Sequence, residues 1–167
     1  MTTLPPEDMA LLFFNEIARP TVDEFLAAPA DKRRGCLACL AVAAITEHYF
    51  QSRPELVGVN QRPRQALEAF KVAIHEENGA VGWIADVANA TKHVVRDGKR
   101  GAAKIRYGDV RAIATGQCGV MRCGWPLGEG EEIVVGSNLE WRLSTLIEAA
   151  MDFWRAKLGL PTDVAPA

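Results

Sequence analysis

The residues best equipped for chemistry are Asp86, Asn89 and His93, in the run Asp86-Val87-Ala88-Asn89-Ala90-Thr91-Lys92-His93. At about 100° of rotation per residue, an α-helix brings the three within about 60° of one another. Imidazole titrates near neutrality, so beside a carboxylate and an amide it can serve as general base, nucleophile activator or metal ligand. In the catalytic arrangement His93 exchanges the proton, Asn89 orients the ring and Asp86, two turns earlier, sets its tautomer. The plainer reading of the same pattern is the wet side of an amphipathic helix, and the alternative function is a non-enzymatic helical interaction module of unknown partner in which Asp86, Asn89 and His93 cap or brace packing. That helix is expected from about Ala80 to Arg96, closed by Asp97-Gly98, with Val81, Trp83, Ile84, Val87, Ala88 and Val94 on its apolar arc.

The charge next to this strip favours an anionic partner. From Lys92 to Arg111 seven basic residues stand against Asp97 and Asp109, a local excess of five positive charges in a chain whose formal net charge is −2. Lys92, Arg96, Lys99, Arg100, Lys104 and Arg106 are therefore the candidate anion-binding residues, with Tyr107 available to stack on a base. With scattered rather than clustered side chains, the same segment is only a solvated loop.

Asn89-x-x-x-His93 on a late helix resembles the end of the Arg-Asn-x-x-x-His motif of the HEPN superfamily. The resemblance implies a helical homodimer acting as a metal-independent ribonuclease, or as a degenerate RNA-binding or scaffold protein of toxin–antitoxin and phage-defence systems. The motif's arginine position holds Ala88 here, which weakens the case for cleavage; Arg96, one turn after His93, is the candidate substitute. The strip, together with Phe13-Phe14-Asn15-Glu16 and Arg19-Pro20, is also similar to a group of bacterial proteins without an assigned role.

Other constellations point less clearly to chemistry. His48, His75 and His93 fall on three successive expected helices, but no His-x-x-x-His or Glu-x-x-His pair provides a two-ligand seed, so no metal is expected. His48 reads as a core residue and His75 as outward-facing. Cys36 and Cys39, one helical turn apart, with Cys118 and Cys123 have the count for a zinc site; small buried core thiols are the simpler reading. The glycines of 116–124 lack the Gly-Lys-Ser/Thr of a phosphate-binding loop, and no cofactor is expected.

A chain of 167 residues, 49% apolar and 24% charged, fits one domain over 1–167 with an ordinary core. Its first residues lack a basic and an apolar region, and no apolar run reaches the roughly 20 residues of a membrane span, so a cytoplasmic protein is expected.

The elements that must position the strip form a mainly α bundle of four to five main helices, with a small antiparallel β excursion before the last. Pro5-Pro6-Glu7-Asp8 opens a first helix that Pro20 should kink or break. A central helix follows from about Asp31 to Gln51, with Leu37, Leu40, Ala41, Ala44, Ile45 and His48 on its buried stripe. The next covers about Arg64 to Asn78, burying Leu67, Phe70 and Ile74, with Asn78-Gly79 suited to positive φ at its end. Between 98 and 136, where nine of the fourteen glycines lie, strands are expected at Lys104–Tyr107, Val110–Ile113 and Glu132–Val135. Ser137 and Glu140 form a capping-box pattern for a final helix from about Asn138 to Leu158, stopped by Gly159 and Pro161.

Overall fold

The computed structural model describes residues 6–58, 62–92, 107–115, 130–136 and 141–161. It is mainly α, with a three-stranded antiparallel sheet ahead of the last helix. Helix α1 (Pro6–Phe13) runs through a π-helical turn (Phe14–Ala18) into α2 (Arg19–Leu26), and Pro20 does not break it. The reason is the wide turn just before the proline. The Arg19 N–H donates five residues back to Phe14 O, and the Thr21 hydroxyl donates to Ile17 O at 2.6 Å. The ladder thus bypasses the donor that proline lacks, and the widened backbone makes room for its ring.

Helix α3 (Lys32–Gln51) is the central element and touches α1, α2, α4, α5 and α6. Asp31 caps it, accepting from the Arg34 N–H at 3.1 Å. Its buried face only partly coincides with the one expected. Ala38, Cys39, Val42 and Ile45 are completely buried, whereas Leu37 is 45% exposed and Leu40, Ala44 and His48 are only half-buried. Ala41 and Ile45 of the expected stripe are buried, but the helix is apolar nearly all round, so periodicity alone did not fix its phase. Small residues made the difference: at Gly35 an added Cβ would lie 2.9 Å from Leu143 Cδ2 and 3.1 Å from the Phe25 ring. This is where α2 and α6 close on α3.

Helix α4 (Pro63–Glu77) buries Ala66 and Ile74, with Leu67 and Phe70 half-buried. Asn78 is extended (φ −139°, ψ 106°), not left-handed as expected, and its Oδ1 accepts from the Val81 N–H at 3.2 Å. Asn78 thus ends α4 as expected, its own N–H donating to Ile74 O, and with its side chain caps the start of the next helix, α5 (Gly79–Lys92). Val81, Ile84, Val87, Ala88 and Ala90 pack α5 into the core.

Strands β1 (Val110–Thr115) and β2 (Gly130–Val135) pair with Val110 opposite Val135 and Ala112 opposite Ile133. The third strand, β3, is Trp141–Arg142, and Tyr107 instead opens a 3₁₀ turn (Tyr107–Asp109). Helix α6 (Leu143–Lys157) accordingly starts later than the Ser-x-x-Glu pattern suggests, after extended Arg142. Residues 137–140 themselves lie outside the described residues, as do 104–106 of the expected first strand. At the far end Gly159 takes φ 68°, and the Leu160 N–H donates to Arg155 O, ending the helix where the sequence places it. Trp154, Ile147 and Leu143 of α6 join Phe14, Phe25, Ile45, Ile84 and Ile133 in one core.

Candidate functional site

Helix α5 forms because apolar side chains recur at helical spacing through Val81, Ile84, Val87 and Ala88, and Asn78 caps its first turn. Asp86 and Asn89 occur on it as expected, both half-buried, and Asp86 is already engaged in a polar contact. Lys92 ends the helix and is exposed. His93 lies outside the described residues, as do Arg96, Lys99, Arg100, Lys104 and Arg106.

Lys92, at the end of α5, acts electrostatically on a charged seam between α3 and α4. Lys71 on α4 bonds Glu47 on α3 at 2.7 Å and Glu68 at 3.6 Å. The Lys71 hydrogen bond holds the Glu47 carboxyl below the usual carboxylate range against the opposing effect of burial. The charges of Lys71, Lys92 and His48 act in the same direction. His48 stacks on Phe13 with ring centroids 4.0 Å apart, and so braces α1 against α3 at the edge of the core rather than inside it. His75 is half-buried against α5, where a Cβ on Gly82 would lie 3.3 Å from His75 Cβ. Among the described residues no group of three or more His, Cys, Asp or Glu side chains could hold a metal ion.

On the other side of α5 the structure opens a cleft of about 410 Å³ between α3, α5 and the 3₁₀ turn. Cys36, Leu37 and Leu40 make an apolar floor, and Thr91 is its wall on α5. Lys32, Arg33 and Tyr107 complete the lining. Lys32 Nζ lies 3.9 Å from the centre of the Tyr107 ring and donates to Tyr107 O at 3.4 Å, while the residue as a whole stays 49% exposed. Arg34 is committed elsewhere, to Asp31 at 3.3 Å and to Glu24 O at 3.3 Å. Arg33 is exposed and forms no ion pair among the described residues. The cleft thus combines an apolar base, a half-exposed tyrosine with Lys32 over its ring, and a second cation, Arg33. By contrast, a groove of about 310 Å³ between α2 and α6 is lined by Asp23, Glu148 and Asp152 with a single Arg155.

Of the residues singled out from sequence, Tyr107 sits in the cleft, Lys92 is next to its wall residue Thr91, and Asp86 and Asn89 face away. Thr91 is about 140° around the helix from Asp86 and about 160° from Asn89. Lys32 and Arg33 were missed by the sequence reading. The available signal was the run Lys32-Arg33-Arg34 just after a capping Asp31, because cations in a helix's first turn oppose its dipole and are unusual there. The cysteine pair follows the simpler expectation: Cys36 and Cys39 are free and buried, and burial first, then Cys36, pushes the Cys39 thiol well above its usual value. Cys118 and Cys123 lie outside the described residues. No helix among the described residues is long and apolar enough to cross a membrane.

Comparison with protein-family models, curated proteins and solved structures finds no match to this chain.

Proposed function

We propose that this chain is an RNA-binding protein of HEPN-like character that holds RNA at the cleft between α3 and α5 and does not cleave it. The observation that carries the reading is the grouping of Lys32 and Arg33 with the half-exposed Tyr107 over an apolar floor. Cations grip phosphate and an aromatic face accepts a base whatever its identity, the combination used for single-stranded nucleic acid. The chain leaves α5 at Lys92 and returns at Tyr107, so the basic residues Arg96, Lys99, Arg100, Lys104 and Arg106 belong to the connection between two edges of this cleft. Binding without cleavage follows from the separation on α5: Asp86 and Asn89 point away from the wall residue Thr91, and Ala88 replaces the motif's arginine.

The test is fluorescence anisotropy with a labelled single-stranded RNA between about 50 and 200 mM salt, for the protein and for Lys32→Ala/Arg33→Ala. Each phosphate contact on a single strand contributes about 0.7 to the slope of log affinity against log salt, so the double variant should lose about 1.4 of it. His93→Ala should bind as the parent does, and gel analysis should show intact RNA with both. Salt-insensitive or absent binding removes the reading; cleavage lost in His93→Ala restores the ribonuclease alternative.

The proposal extends to a homodimer. Met9 and Ile17, 46% and 49% exposed, flank the half-buried Phe13 at four-residue spacing along the α1 and π-turn segment, forming an apolar ridge. Light scattering should give a dimer mass that Met9→Glu/Ile17→Glu converts to monomer; a parent monomer at high micromolar concentration refutes it.

A further inference from the structure

Resting on the RNA-binding reading, we infer that Thr91 makes the cleft selective for a base bearing an exocyclic amine, so that cytosine is preferred over uracil. The cleft, about 410 Å³, is of a size for one nucleotide rather than a duplex edge. Its cations project from the first turn of α3 and can only donate, which suits phosphate oxygens. Its floor of Cys36, Leu37 and Leu40 offers a base surface to pack on and almost no hydrogen-bonding capacity, since a thiol is a weak partner.

The polar group on the α5 wall is Thr91, and its hydroxyl is not neutral in what it asks for. The Thr91 hydroxyl hydrogen is given to Val87 O at 2.9 Å, one turn back on α5. A hydroxyl has one hydrogen and two lone pairs, so what remains for a ligand is acceptor capacity alone. Thr91 is half-buried, which makes an unmatched contact there costly. The 4-amino group of cytosine donates to such an oxygen. The 4-carbonyl of uracil, at the same place on a ring of the same size, meets it lone pair to lone pair. The difference expected from one neutral hydrogen bond is about five- to tenfold in affinity.

The experiment compares oligocytidine and oligouridine of equal length by anisotropy, on the full chain and on Thr91→Val and Thr91→Ser. Valine keeps the branched shape and removes the acceptor; serine keeps the hydroxyl and its bond to the preceding turn. The parent and Thr91→Ser should bind oligocytidine about five- to tenfold more tightly, and Thr91→Val should bind both alike. Equal affinity in the parent, or a preference that persists in a Thr91→Val protein with an unchanged thermal melt, overturns the inference while leaving RNA binding in place. Failure of both oligomers to bind overturns the RNA reading and the inference with it.

Discussion

The unexpected phase of α3 yields a direct test, because Leu37 and Ile45 stand on one stripe by periodicity and on different sides of the packed core in the structure. Ile45 is completely buried and belongs to the main core, whereas Leu37 is 45% exposed at the cleft floor. Truncating a fully buried isoleucine removes its transfer free energy and leaves a cavity, so Ile45→Ala should cost about 2–5 kcal/mol. Leu37 keeps nearly half its surface in water, and Leu37→Ala forgoes at most about half of the roughly 1.5–3 kcal/mol of a fully buried leucine. The solvent-side substitution should therefore cost about 1.5 kcal/mol or less, and Leu37→Ser little more. Urea denaturation followed by circular dichroism reads both, provided the slopes match the parent. For a chain of this size each kcal/mol corresponds to about 2–4 °C in Tm, so a 3 kcal/mol loss at Ile45 shifts the melt by roughly 6–12 °C. A Leu37 variant as damaging as Ile45→Ala would mean that the outward stripe is in fact buried, against a neighbouring element or a second copy, and the cleft would lose its floor.

Two further outcomes follow from single groups. Glu47 has a folded-state pKa below its unfolded value of 4.5, so its contribution is fully present above that value and is lost as pH falls through the lowered folded pKa. With the Glu47 side chain 51% exposed, screening keeps the effect to about 0.5 kcal/mol, seen as a shallower acid-side decline of stability in Lys71→Met than in the parent; identical acid profiles contradict the seam. Trp154 is completely buried, and its indole N–H has no hydrogen-bond partner within the described chain. Trp154→Phe removes that unsatisfied donor along with some volume, and should cost clearly less than the roughly 3–5 kcal/mol of Trp154→Ala; equal losses in thermal or urea unfolding would show that the N–H is satisfied.

Much of the architecture was legible because local rules acted without competition. The long apolar run from about Asp31 to Gln51 announced α3, Gly159 announced the end of α6, and the glycine-rich stretch with alternating apolar residues announced an antiparallel sheet before the last helix. The failures occurred where two local rules conflicted or where the answer lay across the chain. Pro20 looked like a break, but a π-turn rerouted the hydrogen bonds. Asn78 does end α4, but in an extended rather than a left-handed conformation, because its side chain also caps α5. Trp141–Arg142 looked helical beside a Ser-x-x-Glu pattern, yet pairs with Val134 and Val135. Of the candidate site, only Tyr107 was identified at the cleft; Lys32 and Arg33 are about 75 residues away in sequence and belong with it only because Lys32 covers its ring.

The residue sequence by itself determined that this chain is a mainly helical domain, where its long helices lie, and that Asp86 and Asn89 share one side of α5, because helix periodicity and capping are properties of neighbours within a few positions. Only the tertiary structure decided which side of α3 is buried and that the cleft opens at Thr91, away from Asp86 and Asn89. A helix apolar on several sides carries no internal instruction about which side its partners will cover; that is settled by how closely α2 and α6 can approach Gly35.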